Sequence, residues 1–279
     1  MKNDYLLSIR EFSELTDFSL TKLRHYDDVE LFQPVFRADN GYRYYSALQS
    51  ITINCINVMK SVQLPIKKIN DIMKKRTPEK ILDFLSKHEV ELNAELFKLQ
   101  QAYAIIHTYV TLIQEGLQAD EQKIACRRME ATPIEIGPRN DFSGKRFNDS
   151  FFAFLQEMRK RRVDSAYPAG ACYTSMDSLR ENPGRPEYFF AHTPAGRDLK
   201  EKGDYLVGYA RGYYGDLGDL PQRLEAYAKA HGMVFNGPVY EDYLHNELTE
   251  ENPDRYLIRV AAKVRHQKSR HSASSPNPK

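Results

Sequence analysis

The sequence predicts an α+β chain in which two folded parts are joined by one long helix, and three observations carry that prediction. Two short capped helices and an Asn-Gly hairpin precede residue 76. Apolar residues then repeat every seven positions from 82 to 117. After residue 120, strand-like and helix-like segments alternate twice in the same order. A chain of 279 residues accommodates two domains and a connector.

Charge and cysteine content narrow the classes. The net charge is only +2, with 12 Lys/Arg against 9 Asp/Glu up to Pro78 and 3 against 6 from Glu79 to Ala119. A basic surface must therefore come from local arrangement. Cys55, Cys126 and Cys172 form no CxxC pair, which argues against a disulfide scaffold or a standard zinc site. The opening MKNDYLLSIREF has no long apolar core, and no run reaches the ~20 apolar residues that span a bilayer. The expectation is a reduced, cytoplasmic, soluble protein without metal, cofactor or membrane association.

Ser8 and Glu11 have the spacing of a capping box, and Ile9, Phe12 and Leu15 share one face of the helix that follows. Asp17 to Ser19 break it, and Ser19 caps a second helix with Phe18 and Leu23 as a hydrophobic staple. This pair is a helix-turn-helix candidate. On the second helix, Leu20 to about Asp28, Thr21 and Lys22 suit a major groove, and Arg24, His25 and Tyr26 suit phosphates. The alternative is an ordinary solvated helix. Asp39-Asn40-Gly41 then marks a hairpin flanked by Phe36-Arg37 and Tyr42-Arg43-Tyr44, a small wing on which Arg43 can hold a phosphate bidentately.

The pattern L-R-H-Y-D-D-V-E-L-F-Q-P (23–34) followed by N-G-Y-R-Y-Y (40–45) resembles the winged helix-turn-helix of MerR-family transcription regulators, over roughly Tyr5 to Arg76. The family usually has tyrosine at His25 and glycine at Glu30, so the chain departs at both. The candidate DNA-contact set is Ser19, Thr21, Lys22, Arg24, His25, Tyr26, Arg37, Tyr42, Arg43 and Lys60, the last placed by the resemblance.

Ser46 and Gln49 suggest a second capping box ahead of a third helix, and Pro65 opens a fourth. Thr77-Pro78 starts the long helix. Leu85, Leu92, Leu99, Ile106 and Ile113 form one heptad row, and Leu82, Leu96, Tyr103, Val110 and Leu117 the other, with Glu89 the polar exception. Such a seam is a coiled coil and requires a partner helix. The alternative is burial within one chain. MerR-like proteins use this helix as an antiparallel dimer arm.

Eleven of the 18 tyrosines follow residue 120. The expected elements there are a strand near 124–130, a helix near 145–162 and strands near 171–175 and 188–192. A strand near 205–211, a helix near 217–231 and strands near 239–244 and 256–264 repeat the order. This doubled β-α-β-β, with Ile136-Gly137-Pro138 and Gly237-Pro238-Val239-Tyr240-Glu241, resembles the GyrI-like effector-binding domain, and the whole resembles BmrR-like multidrug regulators. Glu241 shares a strand face with Val239 and Tyr243, where a carboxylate loses hydration and seeks a cation. The resemblance implies Glu241 and Tyr256 as ligand residues, with Tyr167, Tyr213 and Tyr214 as walls and Pro138 at the rim. The alternative is an internal salt bridge from Glu241 to Arg255 or Arg259. An Arg259 facing the pocket would instead favour neutral or anionic ligands. His192, His231 and His245 form no triad with any serine or cysteine.

The expected domains are a winged helix-turn-helix (1–76), a dimerisation helix (77–119), a ligand-binding domain (120–266) and a disordered tail (267–279). The expected function is a homodimeric regulator, not an enzyme, that binds promoter double-stranded DNA and answers to a small organic effector. The resemblance adds RNA polymerase as a partner, through distortion of an over-long promoter spacer. The alternatives are a GyrI-like hydrolase with Glu241 as general base, and a drug-sequestering protein.

Overall fold

A computed structural model describes residues 5–74, 76–143 and 147–267. The chain divides into two compact units, residues 1–95 and 96–279. The expected tail lies outside the described residues from 268 onward.

In the N-terminal unit, β1 (Leu6–Ser8) leads into α1 (Ile9–Thr16) and α2 (Leu20–Asp28), followed by β2 (Phe36–Arg37), β3 (Arg43–Ser46), α3 (Gln49–Ser61) and α4 (Ile66–Lys74). The capping box at α1 forms in both directions. Ser8 N donates to Glu11 Oε2 at 2.7 Å, and Glu11 N donates to Ser8 Oγ at 3.3 Å. Asp17, at φ 58°, turns the chain between α1 and α2. Helix α2 ends in a Schellman motif, with Leu31 N bonded to Tyr26 O and Glu30 N to Asp27 O. Glu30 occupies its left-handed position at φ 57°, the conformation in which glycine costs nothing.

The wing differs in detail from a two-residue Asn-Gly turn. Gly41 N donates to Ala38 O and Ala38 N to Tyr42 O, so the loop is three residues, closed by Gly41 at φ 81°. Strand β1, which the sequence pattern did not reveal, adds the third strand in the order β1-β3-β2. The second expected capping box is half present. Gln49 Oε1 accepts from Ser46 N at 3.0 Å, while Ser46 itself ends β3. The core stacks Phe12 on Tyr45 at 4.7 Å and Phe32 on Tyr45 at 5.6 Å, over Leu23, Ile53, Ile56, Leu64 and Ile69.

Helix α5 runs unbroken over Pro78–Leu117, 40 residues, with Lys80 N donating to Thr77 Oγ1. At 1.5 Å per residue it spans about 60 Å. Its apolar rows stay in solvent: Leu82, Leu96, Leu99, Tyr103, Ile106 and Leu117 are all more than half exposed. No helix among the described residues is long and apolar enough to cross a membrane.

The C-terminal unit carries β4 (Ala125–Met129), β5 (Thr132–Ile136), α6 (Phe147–Lys160), β6 (Ala169–Tyr173), α7 (Met176–Glu181), β7 (Tyr188–Ala191) and β8 (Asp198–Lys200). It continues with β9 (Gly203–Arg211), α8 (Leu220–Ala230), β10 (Met233–His245) and β11 (Leu257–His266). One antiparallel sheet results, in the order β4-β9-β11-β10-β6-β7-β5-β8. Two β-α-β-β units meet at the β6–β10 pair, where Glu241 opposes Ala171. Their composition corrects the sequence reading: the first unit begins at β5, whereas the expected strand near 124–130 is β4, which pairs with β9 at the sheet edge. Strands β5 and β8 and helix α7 were not foreseen. The expected start of α6 at Lys145 lies outside the described residues.

Alternation along β10 gives the sheet two chemically distinct faces. Val239 and Tyr243 join the core under α6 and α8, whereas Tyr240 and Leu244 join a second core that includes Leu112 of α5.

Candidate functional site

Two candidate sites arise, one in each unit. The first is the outer surface of α2 and the wing. Thr21, Arg24 and His25 are exposed on α2, and Tyr42 is exposed on the wing. Ser19 is occupied as the helix cap, its hydroxyl accepting from Lys22 N at 3.2 Å. Lys22 is half-buried, with its ammonium 4.4 Å from the Phe18 ring centre. Lys60 Nζ donates to Leu64 O at 3.3 Å.

Tyr26 departs from its expected place among phosphate contacts. It lies in the core at 2% exposure, because its position three residues after Leu23 puts both on the helix's inner face. Arg43 departs in part. The β2–β3 register sets Arg37 opposite Arg43, a like-charge pair that would repel. Asp27, fully buried beneath them, compensates: Arg37 Nη2 reaches both carboxylate oxygens at 2.5 and 2.6 Å, and Arg43 Nε reaches Oδ2 at 2.6 Å. The Arg43 Nε is thus committed to the wing's attachment, and Nη2 lies 3.6 Å from Asp28. Only its Nη edge remains to meet a phosphate. Asp27 was missed by sequence reasoning. The available signal was its place four residues after Leu23, on the face that the core requires.

The second site is a cavity of about 430 Å³ in the C-terminal unit, walled by α6, the β9–α8 loop and the end of β10. Four of the residues singled out from the sequence, Tyr167, Tyr213, Tyr214 and Tyr256, line it together. Tyr214 is the hub. Its ring lies 4.5 Å from Tyr243, 5.1 Å from Tyr213, 5.4 Å from Tyr256 and 5.6 Å from Phe147. Its hydroxyl donates to Glu247, and burial followed by that carboxylate pushes the phenol's pKa upward, keeping it protonated. Tyr213 donates to Asn148 Oδ1 at 3.1 Å. Such a chamber takes flat or bulky apolar molecules, with ring faces available to a cation.

Pro138 and Glu241 do not line this cavity. Pro138 is exposed in the segment after β5. Glu241 is wholly buried behind Tyr243, whose hydroxyl approaches its Oε2 at 3.4 Å, and its Oε1 has no hydrogen-bond partner. Burial raises its pKa from the ordinary 4.5 to about 7, against the opposing influence of the Tyr173 and Tyr243 phenols.

The alternative salt bridge to Arg255 or Arg259 does not form. Arg255 faces Glu250 at 3.5 Å. Arg259 lies on the other sheet face and holds Asp242 through Nε at 3.1 Å and Nη2 at 2.7 Å. Its third nitrogen binds Glu115 of α5. Asp242 also accepts from Lys200 at 3.0 Å and meets His192 Nε2 at 2.9 Å, while Glu115 accepts from the Tyr209 hydroxyl at 2.8 Å. Of the other two histidines, His231 is exposed and stacks on Tyr227 at 3.9 Å, and the His245 ring fills the space where a side chain on Gly116 would stand.

Comparison with known proteins places this geometry. Residues 7–76 match the MerR HTH family regulatory protein model. The multidrug-efflux transporter 2 regulator of Bacillus subtilis is 26% identical over 91% of this chain and 95% of its own length. The multidrug-efflux transporter 1 regulator of the same organism is 32% identical over 50% of this chain and 52% of its length. A cryo-EM structure of an EcmrR–DNA complex aligns over 94% of this chain and all of that one, at 14% identity and a TM-score of 0.40. Residues 7–76 are thus a MerR-family helix-turn-helix regulatory domain.

Proposed function

We propose that this chain is a cytoplasmic, homodimeric transcription regulator that binds promoter DNA and answers to a small lipophilic compound. The observation that carries the reading is the aromatic cavity on a chain whose first quarter is a MerR-family domain. The end-to-end similarity to a multidrug-efflux transporter regulator supports it. In this reading residues 1–76 bind DNA, 77–119 dimerise and 120–266 are a GyrI-like effector domain.

Thr21 and Lys22 read the major groove, while Arg24, His25, Tyr42, Lys60 and the Nη edge of Arg43 meet phosphates. The exposed rows of α5 pair with those of a second copy, since a stripe of this length left in water costs far more than pairing it. Two winged domains then occupy one palindromic site and distort it so that RNA polymerase engages the promoter. Ligand acts by favouring that conformer, and Glu115 gives the sheet a direct hold on α5 through Arg259. The hydrolase alternative takes Glu241 as its general base, and Glu241 faces none of the cavity.

The test is transcription in vitro from the chain's own upstream DNA, with tetraphenylphosphonium as the probe compound. The expected outcome is retardation of that DNA by a dimer and a several-fold rise in transcript on adding the probe. A dimer that ignores its upstream DNA refutes the regulatory reading. DNA binding with no response to any lipophilic probe refutes the effector reading.

A further inference from the structure

Within the N-terminal unit, the first turns of α5 are docked by a side chain for which neither DNA contact nor dimerisation has a use. His88 lies off both heptad rows of α5, and its side chain is only 14% exposed. One turn earlier, Phe84 packs against the core of the winged domain and stacks on the His88 ring at 6.3 Å. Four residues apart, the two rings form one docking face.

That face meets the end of α3. The helix closes as α2 does, in a Schellman motif, with Leu64 N bonded to Met59 O and Gln63 N to Lys60 O, and with Gln63 left-handed at φ 64°. The last carbonyls of a helix need partners from outside it. The carbonyl of the C-cap, Val62, lies 2.8 Å from His88 Nε2, 26 residues on. The other ring nitrogen, Nδ1, lies 3.3 Å from Glu91 Oε2.

Both partners of the ring are acceptors, since neither a backbone carbonyl nor an ionised carboxylate has a proton to give. They are satisfied together only when both ring nitrogens carry protons. A neutral ring keeps the N–H toward Val62 and turns a lone pair on Glu91. Other charges around the joint, among the described residues, are Lys68 of α4, 6.0 Å from the Phe84 ring centre, Lys60 of α3, held by Leu64 O, and the Lys87–Asp83 pair of α5. The Val62 carbonyl and then Glu91 hold the His88 pKa above its ordinary 6.5, against the shielding of the ring from water and the charge of Lys68.

We infer that His88 is a positioning residue whose protonation braces α5 against the α3–α4 corner, so that acidity tunes the angle at which the dimer helix leaves the DNA-binding domain. The brace is complete below the ordinary histidine value and is lost as pH rises through the raised folded one. A tilt of about 5° at this joint moves a point about 30 Å along the helix by roughly 3 Å. Two winged domains set by such a helix lose their match to one palindromic site. The inference rests on the DNA-binding reading above and adds the proton as a second input to it.

The first arm of the test needs no DNA. Full-length protein with labelled histidines is titrated by NMR, and the spectrum of His88→Gln identifies the His88 signal. His88 is expected to titrate above 6.5. Glu91→Gln, which places an amide donor beside Nδ1, is expected to lower that midpoint. A wild-type midpoint at or below 6.5, or one indifferent to Glu91→Gln, overturns the brace. The second arm follows retardation of the chain's own upstream DNA at fixed salt from about pH 5.5 to about pH 8.5, the range over which histidines change charge. Across it, wild type is expected to lose about threefold more affinity than either variant, the size of effect that a solvent-exposed ion pair gives. His25, an exposed candidate phosphate contact, is common to all three proteins, so its contribution cancels. Melting temperatures matching wild type show that the variants are folded, and Glu91, itself well exposed, is the milder of the two changes. Identical pH profiles for wild type and variants overturn the positioning role. Wild type that binds its upstream DNA at no pH refutes the DNA-binding reading instead, and the positioning role falls with it while the NMR arm still decides the brace.

Discussion

Replacing Glu241 by glutamine removes a buried carboxylate while keeping the side chain's shape, and its effect on stability is set by pH. The folded pKa is about 7 against an ordinary 4.5. Between those values the folded chain holds a proton that the unfolded chain has released, so wild-type stability falls as pH rises through this window. Below about pH 4 both states are protonated and the carboxyl costs nothing. Above about pH 8 the penalty is complete. At about 1.4 kcal/mol for each tenfold shift, the rise amounts to about 3 kcal/mol. Glutamine carries no such penalty, so Glu241→Gln is expected to gain about 3 kcal/mol on wild type between pH 4 and pH 8. Urea unfolding followed by tyrosine fluorescence at pH 4, 6 and 8 reads the difference, because most tyrosines lie in this half of the chain. Other titrating groups are common to both proteins and cancel. A stability difference that does not change with pH, or that runs against the variant as pH rises, refutes the description of Glu241 as a desolvated, cation-free carboxylate.

Asp27→Asn is expected to destabilise the winged domain by about 3 kcal/mol, since it leaves Arg37 and Arg43 opposed over a neutral amide, and to weaken DNA binding; thermal melting and gel retardation check both. Glu30→Gly relieves a left-handed residue at φ 57° and is expected to add about 0.5 kcal/mol, the relief of strain exceeding the entropy cost of glycine. Leu99→Lys together with Ile106→Lys charges an exposed stretch of the α5 seam and is expected to convert the proposed dimer to a monomer in sedimentation, with loss of operator binding. Arg259→Met removes the guanidinium shared by Asp242 and Glu115, leaving Asp242 to Lys200 and His192, and is expected to cost about 3 kcal/mol, measured by urea unfolding at pH 7.

Elements with local signals were legible in the sequence. The capping box at Ser8, the break at Asp17, the Gly41 turn and the 40-residue helix each follow from a few adjacent residues. Strands β1, β5 and β8 were not legible, because strands of three to five residues carry too little alternation and owe their pairing to partners far away in sequence. The same limit hid Asp27. Aromatic residues flagged Tyr167, Tyr213, Tyr214 and Tyr256, and they do come together. Whether a carboxylate faces the resulting cavity depends on which tyrosine stands in front of it, and strand parity alone says only that Glu241 and Tyr243 share a face. Parity also left open the partner of Arg259. The β10–β11 register decides it by setting Arg259 opposite Asp242.

That register explains how two adjacent carboxylates reach opposite states. Glu241 and Asp242 are both fully buried, but successive residues of a strand face opposite ways. Glu241 meets rings alone, and burial lifts its pKa. Burial would lift Asp242 too, yet the charges of Arg259 and Lys200 and the contact with His192 outweigh it and hold Asp242 well below the usual carboxylate range. Lys200 bears part of the cost, since its own burial lowers its pKa despite Asp242. An ion cluster of this kind contributes little net stability compared with apolar packing. Its geometric demand is strict, however, because each charge is tolerated only while its partners stay within reach. Strand β10 therefore carries the aromatic chamber on one side and, one residue along, a cluster that grips Glu115 of α5 on the other.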